Sequence, residues 1–171
     1  MQKTIETERL LLRPFRLSDS ERVAKLAGDK AIADMTAQIP HPYEPSMAIA
    51  WIETHQPAYD EGRSVVYAIT IKGDDNIIGT VSLPSLNGGL GVLGYWLGVE
   101  FWGNGYAYEA ARALVDYCKE HLGLRLLEVS HLVGNERSKS VINKLAVTYV
   151  ENKVVAVHGR DREVCVYRSE I

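Results

Sequence analysis

One short segment, Trp102-Gly103-Asn104-Gly105-Tyr106-Ala107, constrains this chain more than any other, because it hands a strand directly to the strongest helix in the sequence. Beyond it, Ala110, Ala113, Leu114, Tyr117 and Cys118 fall at i, i+3, i+4, i+7 and i+8, one apolar helix face. Glu109, Arg112, Asp116 and Lys119 occupy the other side, and Gly123 is placed to stop the helix. Glycines just before a helix leave unpaired backbone N–H groups beside the positive end of its dipole and let a ligand approach the main chain. Such a turn is either an anion site suited to phosphate or pyrophosphate, or a plain turn with glycines at positive φ. Two familiar phosphate loops do not fit. A dinucleotide fingerprint needs glycine where Tyr108 stands, and a Walker loop needs Gly-Lys-Ser/Thr, which does not follow. The loop reads as pyrophosphate-binding without nucleotide hydrolysis.

Around this loop, helical and strand periods alternate. Arg9 to Arg13 reads as a strand. Ser18-Asp19-Ser20-Glu21 has capping-box spacing and opens a helix through Val23, Leu26 and Ala27, with Gly28 as its stop. A polar stretch through Pro40-His41-Pro42-Tyr43 reaches Pro45-Ser46, from which a second helix is expected through Trp51 and Ile52 towards Tyr59. Ser64 to Ile71, Ile77 to Leu83 and Leu90 to Gly98 read as three strands. The turns between them, Lys72-Gly73-Asp74-Asp75-Asn76 and Asn87-Gly88-Gly89, are short enough to favour an antiparallel meander. Leu124 to Val133 is apolar enough for a buried central strand, and Ser138 to Leu145 forms a short helix. Thr148 to Ala156 and Glu163 to Arg168 look like a closing pair of strands. This order predicts an α/β (α+β) fold with a mixed sheet, in a single domain over 1–171.

Composition narrows the function. At 171 residues one core can bury roughly 70% of the unfolded surface, so neither disulfides nor a metal is needed for stability. With 19 Lys+Arg against 22 Asp+Glu the net charge is −3, which argues against a nucleic-acid binder working by phosphate neutralisation. The first 85 residues carry 9 basic and 12 acidic side chains and the rest 10 of each, so the slight acidity is N-terminal, where it would suit a cationic acceptor. No run approaches the 18 apolar residues of a membrane span, and Met1-Gln2-Lys3-Thr4-Ile5-Glu6 lacks the apolar core of a secretory signal. Only Cys118 and Cys165 are present, far apart, which fits a reducing compartment, the cytoplasm. There is no HExxH and no Cys/His cluster, so no metal is expected.

Gly94-Tyr95-Trp96-Leu97-Gly98 followed by Trp102-Gly103-Asn104-Gly105-Tyr106-Ala107-Tyr108-Glu109-Ala110 resembles the acetyl-CoA motif of the GNAT N-acetyltransferase superfamily. More narrowly it resembles the Rim-type branch, which includes enzymes acetylating the N-termini of ribosomal proteins. Thr7-Glu8-Arg9-Leu10-Leu11-Leu12-Arg13-Pro14 with Asp19, Pro42-Tyr43 ahead of Trp51-Ile52, and Asn135-x-x-Ser138 with Val141 and Lys144 match the branch in the same order, from Thr7 to about Tyr167. The resemblance implies a mostly antiparallel twisted sheet flanked by helices, with a splayed central strand pair. It implies acetyl-CoA as co-substrate and direct acetyl transfer to a primary amine, either a protein N-terminus or a small molecule. Dimers are frequent in the family, so a homodimer is one option.

The resemblance also implies roles residue by residue. The family's Gln/Arg-x-x-Gly-x-Gly/Ala loop, whose main-chain N–H groups hold the coenzyme pyrophosphate, falls on Trp102, Gly105 and Ala107, with Gly103, Asn104 and Tyr106 between. Trp102 replaces the usual Gln/Arg, as is common in the Rim-type branch. The strand Gly94 to Gly98 would splay from Leu124 to Val133 to admit pantetheine beside Trp96, and a bulge would free the backbone N–H of about Leu97 to polarise the thioester carbonyl. Asn135 would bond pantetheine or its neighbouring backbone. Ser138 would lie near the sulfur, and is equally placed to cap the helix it opens. Many members carry a proton-donating tyrosine seven residues after this asparagine; here that position is Ile142, which leaves Ser138 as the donor. Val92 stands where the branch commonly has Glu, and Ala146 where it has Gly. For the base, Glu128, His131 and a water chain remain open. Tyr43, Trp51, Tyr67 and Trp96 are the aromatics expected to shape an acceptor pocket, although each, taken singly, is more often core than site. Ile142, Val92 and Ala146 motivate an alternative, a catalytically weak acyl-CoA-binding or sensor domain of the same fold.

Overall fold

Residues 2–36 and 39–171 are described by the computed structural model, and their alternating segments join one eight-stranded sheet. The strands are β1 (Ile5–Glu6), β2 (Leu10–Arg13), β3 (Val65–Ile71), β4 (Ile77–Asn87), β5 (Leu90–Leu97), β6 (Leu126–Leu132), β7 (Tyr149–Val157) and β8 (Arg160–Glu170). They lie in the order β1-β2-β3-β4-β5-β6-β8-β7. Every neighbouring pair is antiparallel except β5 and β6. That pair is parallel because α5 (Tyr106–His121) lies between the two strands and carries the chain back across the sheet.

Alternation along β3 sends side chains to two cores. Tyr67 and Ile69 join Leu10, Leu12 and Leu83 against Ala110, Ala111, Leu114 and Cys118 of α5. Ala68 faces the other way and packs with Ile77 against α1 (Ser20–Ala27) and α3 (Pro45–Glu53) through Val23, Leu26 and Ala48. The remaining helices are α2 (Lys30–Met35), α4 (His55–Asp60) and α6 (Glu136–Lys144). Among the described residues no helix is long and apolar enough to cross a membrane, and both cysteines are free.

Several boundaries differ from the sequence reading for identifiable reasons. The helix expected to run on towards Tyr59 divides at Thr54 into α3 and α4. Pro57 lacks the N–H that a continuous helix would donate to Glu53, and the Thr54 hydroxyl donates to the Trp51 carbonyl instead (2.6 Å). The capping box at Ser18 does not form. Asp19 turns its carboxylate to the Arg13 guanidinium in two bonds of 2.9 Å and to the Arg16 backbone N–H at 2.7 Å, so a 3₁₀ turn, Leu17–Asp19, precedes α1. Arg13, only 3% exposed, also reaches Asp75 (3.0 Å) and knits β2 to the β3–β4 turn. Gly28 does end α1, but with right-handed φ; a Cβ there would come within 2.5 Å of the Ala24 carbonyl oxygen. The short β1 and α2 carry too few residues to show a period, and sequence alone did not indicate them.

Candidate active site

The sheet opens at its one parallel pair. β5 meets β6 over residues 90–93 and 126–129 only; residues 94–97 stay with β4 while residues 130–132 stay with β8. Gly98 N–H donates to the Ile78 carbonyl (2.8 Å), so antiparallel alternation leaves the Leu97–Gly79 and Tyr95–Val81 pairs without mutual ladder bonds. The backbone N–H and C=O of Tyr95 and Leu97 therefore face the side that β6 has left. The Leu97 carbonyl there accepts the Trp102 indole N–H (3.0 Å). The bulge expected on β5 is on β4 instead, where the register shifts between Ser82 and Ser85 around Pro84. Leu97 turns its amide to the gap by ordinary alternation. Gly79 makes the close β4–β5 approach possible, since a Cβ at that position would sit 2.2 Å from the Trp96 carbonyl oxygen.

One lip of this gap is the glycine loop. Gly103 and Gly105 take left-handed φ of +82° and +78°, turning the chain into α5. The first intrahelical bond runs from Glu109 N–H to the Gly105 carbonyl (3.1 Å), so the N–H groups of Tyr106, Ala107 and Tyr108 have no partner within the helix. Asn104 does not line the cleft. Its amide donates to the Phe101 and Trp102 carbonyls (3.2 and 3.3 Å), and its own carbonyl accepts from Arg9 Nη1 (2.8 Å). Glu109, in the first turn, would repel an anion at this lip if its charge were free. Burial would raise its pKa, but hydrogen bonds from the Thr7 hydroxyl (2.5 Å), Arg9 N–H (2.9 Å) and Arg9 Nε (2.7 Å) outweigh that and lower it. Thr7 and Arg9 of the opening motif thus neutralise the acid nearest the loop.

The other lip is α6. Asn135 caps it, its Oδ1 accepting from Ser138 N–H (3.2 Å), while its Nδ2 donates to the Met35 carbonyl (3.3 Å) and ties α6 to α2. The Ser138 hydroxyl lies 2.7 Å from the Tyr95 phenol, which crosses from β5, and the same phenol oxygen is 3.2 Å from the Ser138 carbonyl. Burial pushes the Tyr95 hydroxyl up to about 12. Two cations of α6 lie on aromatic faces of the opposite lip: the Arg137 guanidinium 3.4 Å from the Trp102 ring centre and Lys144 Nζ 5.9 Å from that of Tyr108. Between the lips runs an open cleft of about 280 Å³, bounded by the loop, Trp96, Leu97, Asn135 and Ser138, with Ile32, Met35 and Thr36 at the α2 side.

The structure gathers Trp96, Leu97, Trp102, Gly103, Gly105, Tyr106, Ala107, Asn135 and Ser138 around one cleft. It separates the other aromatics from it. Tyr67 is fully buried against α5, its hydroxyl donating to the Lys3 carbonyl, and cannot shape a pocket. Tyr43 and Trp51 pack with Phe15 onto the α1–α3 core. Of the four only Trp96 reaches the cleft. Glu128 is ion-paired to Arg168 on β8 (2.5 Å), and His131 is buried with its nitrogens near the Leu132 carbonyl (2.9 Å) and the Tyr167 hydroxyl (3.2 Å). Neither lines the cleft. Ile142 is fully buried, and Ala146 adopts φ of 60°, a left-handed conformation that glycine takes more readily. Sequence reasoning missed Tyr95, Tyr108, Arg137 and the α2 wall. Alternation in Gly94-Tyr95-Trp96 sends Tyr95 to the face opposite Trp96, but no local signal shows that it meets Ser138. Among the described residues no cluster of three metal-ligating side chains occurs.

The model of the Acetyltransferase (GNAT) domain matches residues 9–148. The chain belongs to the GNAT acetyltransferase family. An uncharacterised N-acetyltransferase of Bacillus licheniformis, p20, is 30% identical over 146 residues, covering 84% of this chain and 82% of that protein. The GNAT fold is equally clear among solved structures. RimL, a ribosomal L7/L12 alpha-N-protein acetyltransferase in complex with coenzyme A, superposes with a TM-score of 0.90 at 17% identity, covering 99% of this chain and 98% of that one. The microcin C7 self-immunity acetyltransferase MccE, in complex with acetyl-CoA and AMP, gives 0.87 at 19% identity, with 96% and 94% covered.

Proposed function

We propose that this GNAT protein binds acetyl-CoA in the cleft between β5 and α6 and transfers the acetyl group directly to a primary amine, on a protein N-terminus or a small molecule. The parting of β5 from β6 carries this reading, because it leaves a cleft with an anion site at one end and hydroxyl groups at the other. The pyrophosphate would sit on the N–H groups of Tyr106, Ala107 and Tyr108, where the helix dipole favours it. Pantetheine would run along the free edge of β5, bonding the groups that β6 does not. The thioester carbonyl would meet the Leu97 N–H, which stabilises negative charge as the carbonyl carbon becomes tetrahedral.

The attacking amine must be neutral, since an ammonium has no lone pair. With Glu128 and His131 held away from the cleft, water is the route by which its proton leaves. As the intermediate collapses the C–S bond breaks, and the sulfur takes the proton of the Ser138 hydroxyl. Ile32, Met35 and Trp96 at the α2 side would pack beside the acceptor. The likeness to RimL supports a peptide N-terminus. The test is release of free thiol from acetyl-CoA with a panel of N-terminal peptides and small amines, alongside calorimetry of coenzyme binding. Turnover on at least one acceptor is expected. Tight coenzyme binding with no turnover on any would favour the acyl-CoA sensor instead.

A further inference from the structure

We infer that Tyr95 is a positioning residue for thiolate protonation: its phenol, reaching from β5 across the gap, aims the Ser138 hydrogen at the coenzyme sulfur. This rests on the acetyl-transfer reading above. The geometry leaves few alternatives for the two hydroxyls. A serine hydroxyl rotates freely unless a partner fixes it. The Ser138 N–H is already given to Asn135 Oδ1, so it does not hold the hydroxyl. Tyr95 has one proton, and the Ser138 Oγ at 2.7 Å is a nearer acceptor than the Ser138 carbonyl at 3.2 Å. With the phenol donating to Oγ, the serine's own hydrogen must point elsewhere, and Ser138 lines the cleft.

A tyrosine is protonated at neutral pH and burial raises its pKa further, so the phenol enters each turnover as a donor. The proton movements balance. The C–S bond breaks with its electron pair on sulfur, sulfur takes the Ser138 proton, and Oγ takes the Tyr95 proton. Tyr95 recovers one from the water that carries away the proton lost by the amine. The arrangement also accounts for Ile142: that side chain is sealed in the core, and the phenol absent there is supplied from the neighbouring strand.

The experiment compares wild type with Tyr95→Phe, Ser138→Ala and the double variant. It reads kcat, KM for acetyl-CoA, and the ionisation of the thiol of bound coenzyme A, followed by thiolate absorbance against pH. Tyr95→Phe should lower kcat about tenfold, with KM within about twofold. The bound thiol should titrate about half a unit higher in both single variants, because Ser138→Ala removes the donor to the thiolate and Tyr95→Phe leaves that donor unaimed. The double variant should be no slower than Ser138→Ala, since Tyr95 acts through it. A Tyr95→Phe enzyme with wild-type kcat, or one whose loss lies in KM and melting temperature alone, overturns the inference, as does a double variant slower by the product of the two losses. Wild type with no turnover on any amine would sink the transfer reading itself. The thiol titration would still judge Tyr95, and an unmoved thiol in Tyr95→Phe would rule the inference out.

Discussion

The two halves of β5 obey different rules. Residues 90–92 are paired on both sides, by β4 and by β6, while Leu93, opposite the β4 bulge, pairs with β6 and is 5% exposed in the main core. Residues 94–97 have β4 alone. On their free side they offer backbone groups, the Tyr95 phenol and, one turn of chain later, the glycine loop. A strand bonded on both edges has spent its polar groups on the fold; one bonded on a single edge keeps them for a ligand, provided something covers it from bulk water. The lips made by α5 and α6 supply that cover. On the proposed reading, stability and binding are thus separated along a single strand.

The largest way to break this contrast is Gly105→Glu. It forces a side chain into a left-handed conformation and sets a carboxylate beside the amides of the loop, so coenzyme affinity measured by calorimetry should fall by about a hundredfold or more. Full affinity would move the pyrophosphate elsewhere. Leu93→Ala acts on the bonded half. Deleting a buried leucine should destabilise the fold by about 2–4 kcal/mol in urea melts while coenzyme affinity stays within about threefold. Comparable losses in both measurements would mean the halves are not separable.

The smallest expected effect concerns the ring that packs against Trp51, outside the cleft. His55 packs edge-on to Trp51 (ring centres 4.4 Å), neither of its ring nitrogens has a hydrogen-bond partner, and burial lowers its pKa from 6.5 to about 4. Between these values the unfolded chain binds the extra proton, so this contribution to stability is complete above pH 6.5 and is lost as pH falls towards 4. His55→Phe should flatten the decline between pH 7 and 4.5 in denaturant titrations. An unchanged slope would exclude His55 as its cause.

Much of this architecture was legible because the relevant signals are local. The α5 face, the glycines ahead of it and the turns of the meander each announce themselves within a few residues. The parting of β5 from β6 was readable only through family resemblance, since nothing in Gly94-Tyr95-Trp96-Leu97 states where its ladder stops. Residues acting across long separations were the hardest to see. Tyr95 meets Ser138, and Thr7 and Arg9 meet Glu109, only once the sheet has assembled. Tyr67 misled because an aromatic on a strand looks the same whether its face meets a cleft or a helix. The divided α3–α4 helix was missed although Pro57 stood in plain view; the apolar run through Trp51 and Ile52 outweighed it.

Strand order has a consequence for how the molecule comes into being. β6 forms the far wall of the gap, yet its outer partner is β8, the last strand in chain order, which lies between β6 and β7. As the chain is made, the glycine loop, α5 and both halves of β5 emerge well before β8 can pair with β6. The lip proposed to bind the pyrophosphate can therefore take shape early, but the cleft beside it has no braced opposite wall until nearly all the described strands have been synthesised. Chain order thus leaves the wall formed by β6 without its outer partner until β8 has emerged.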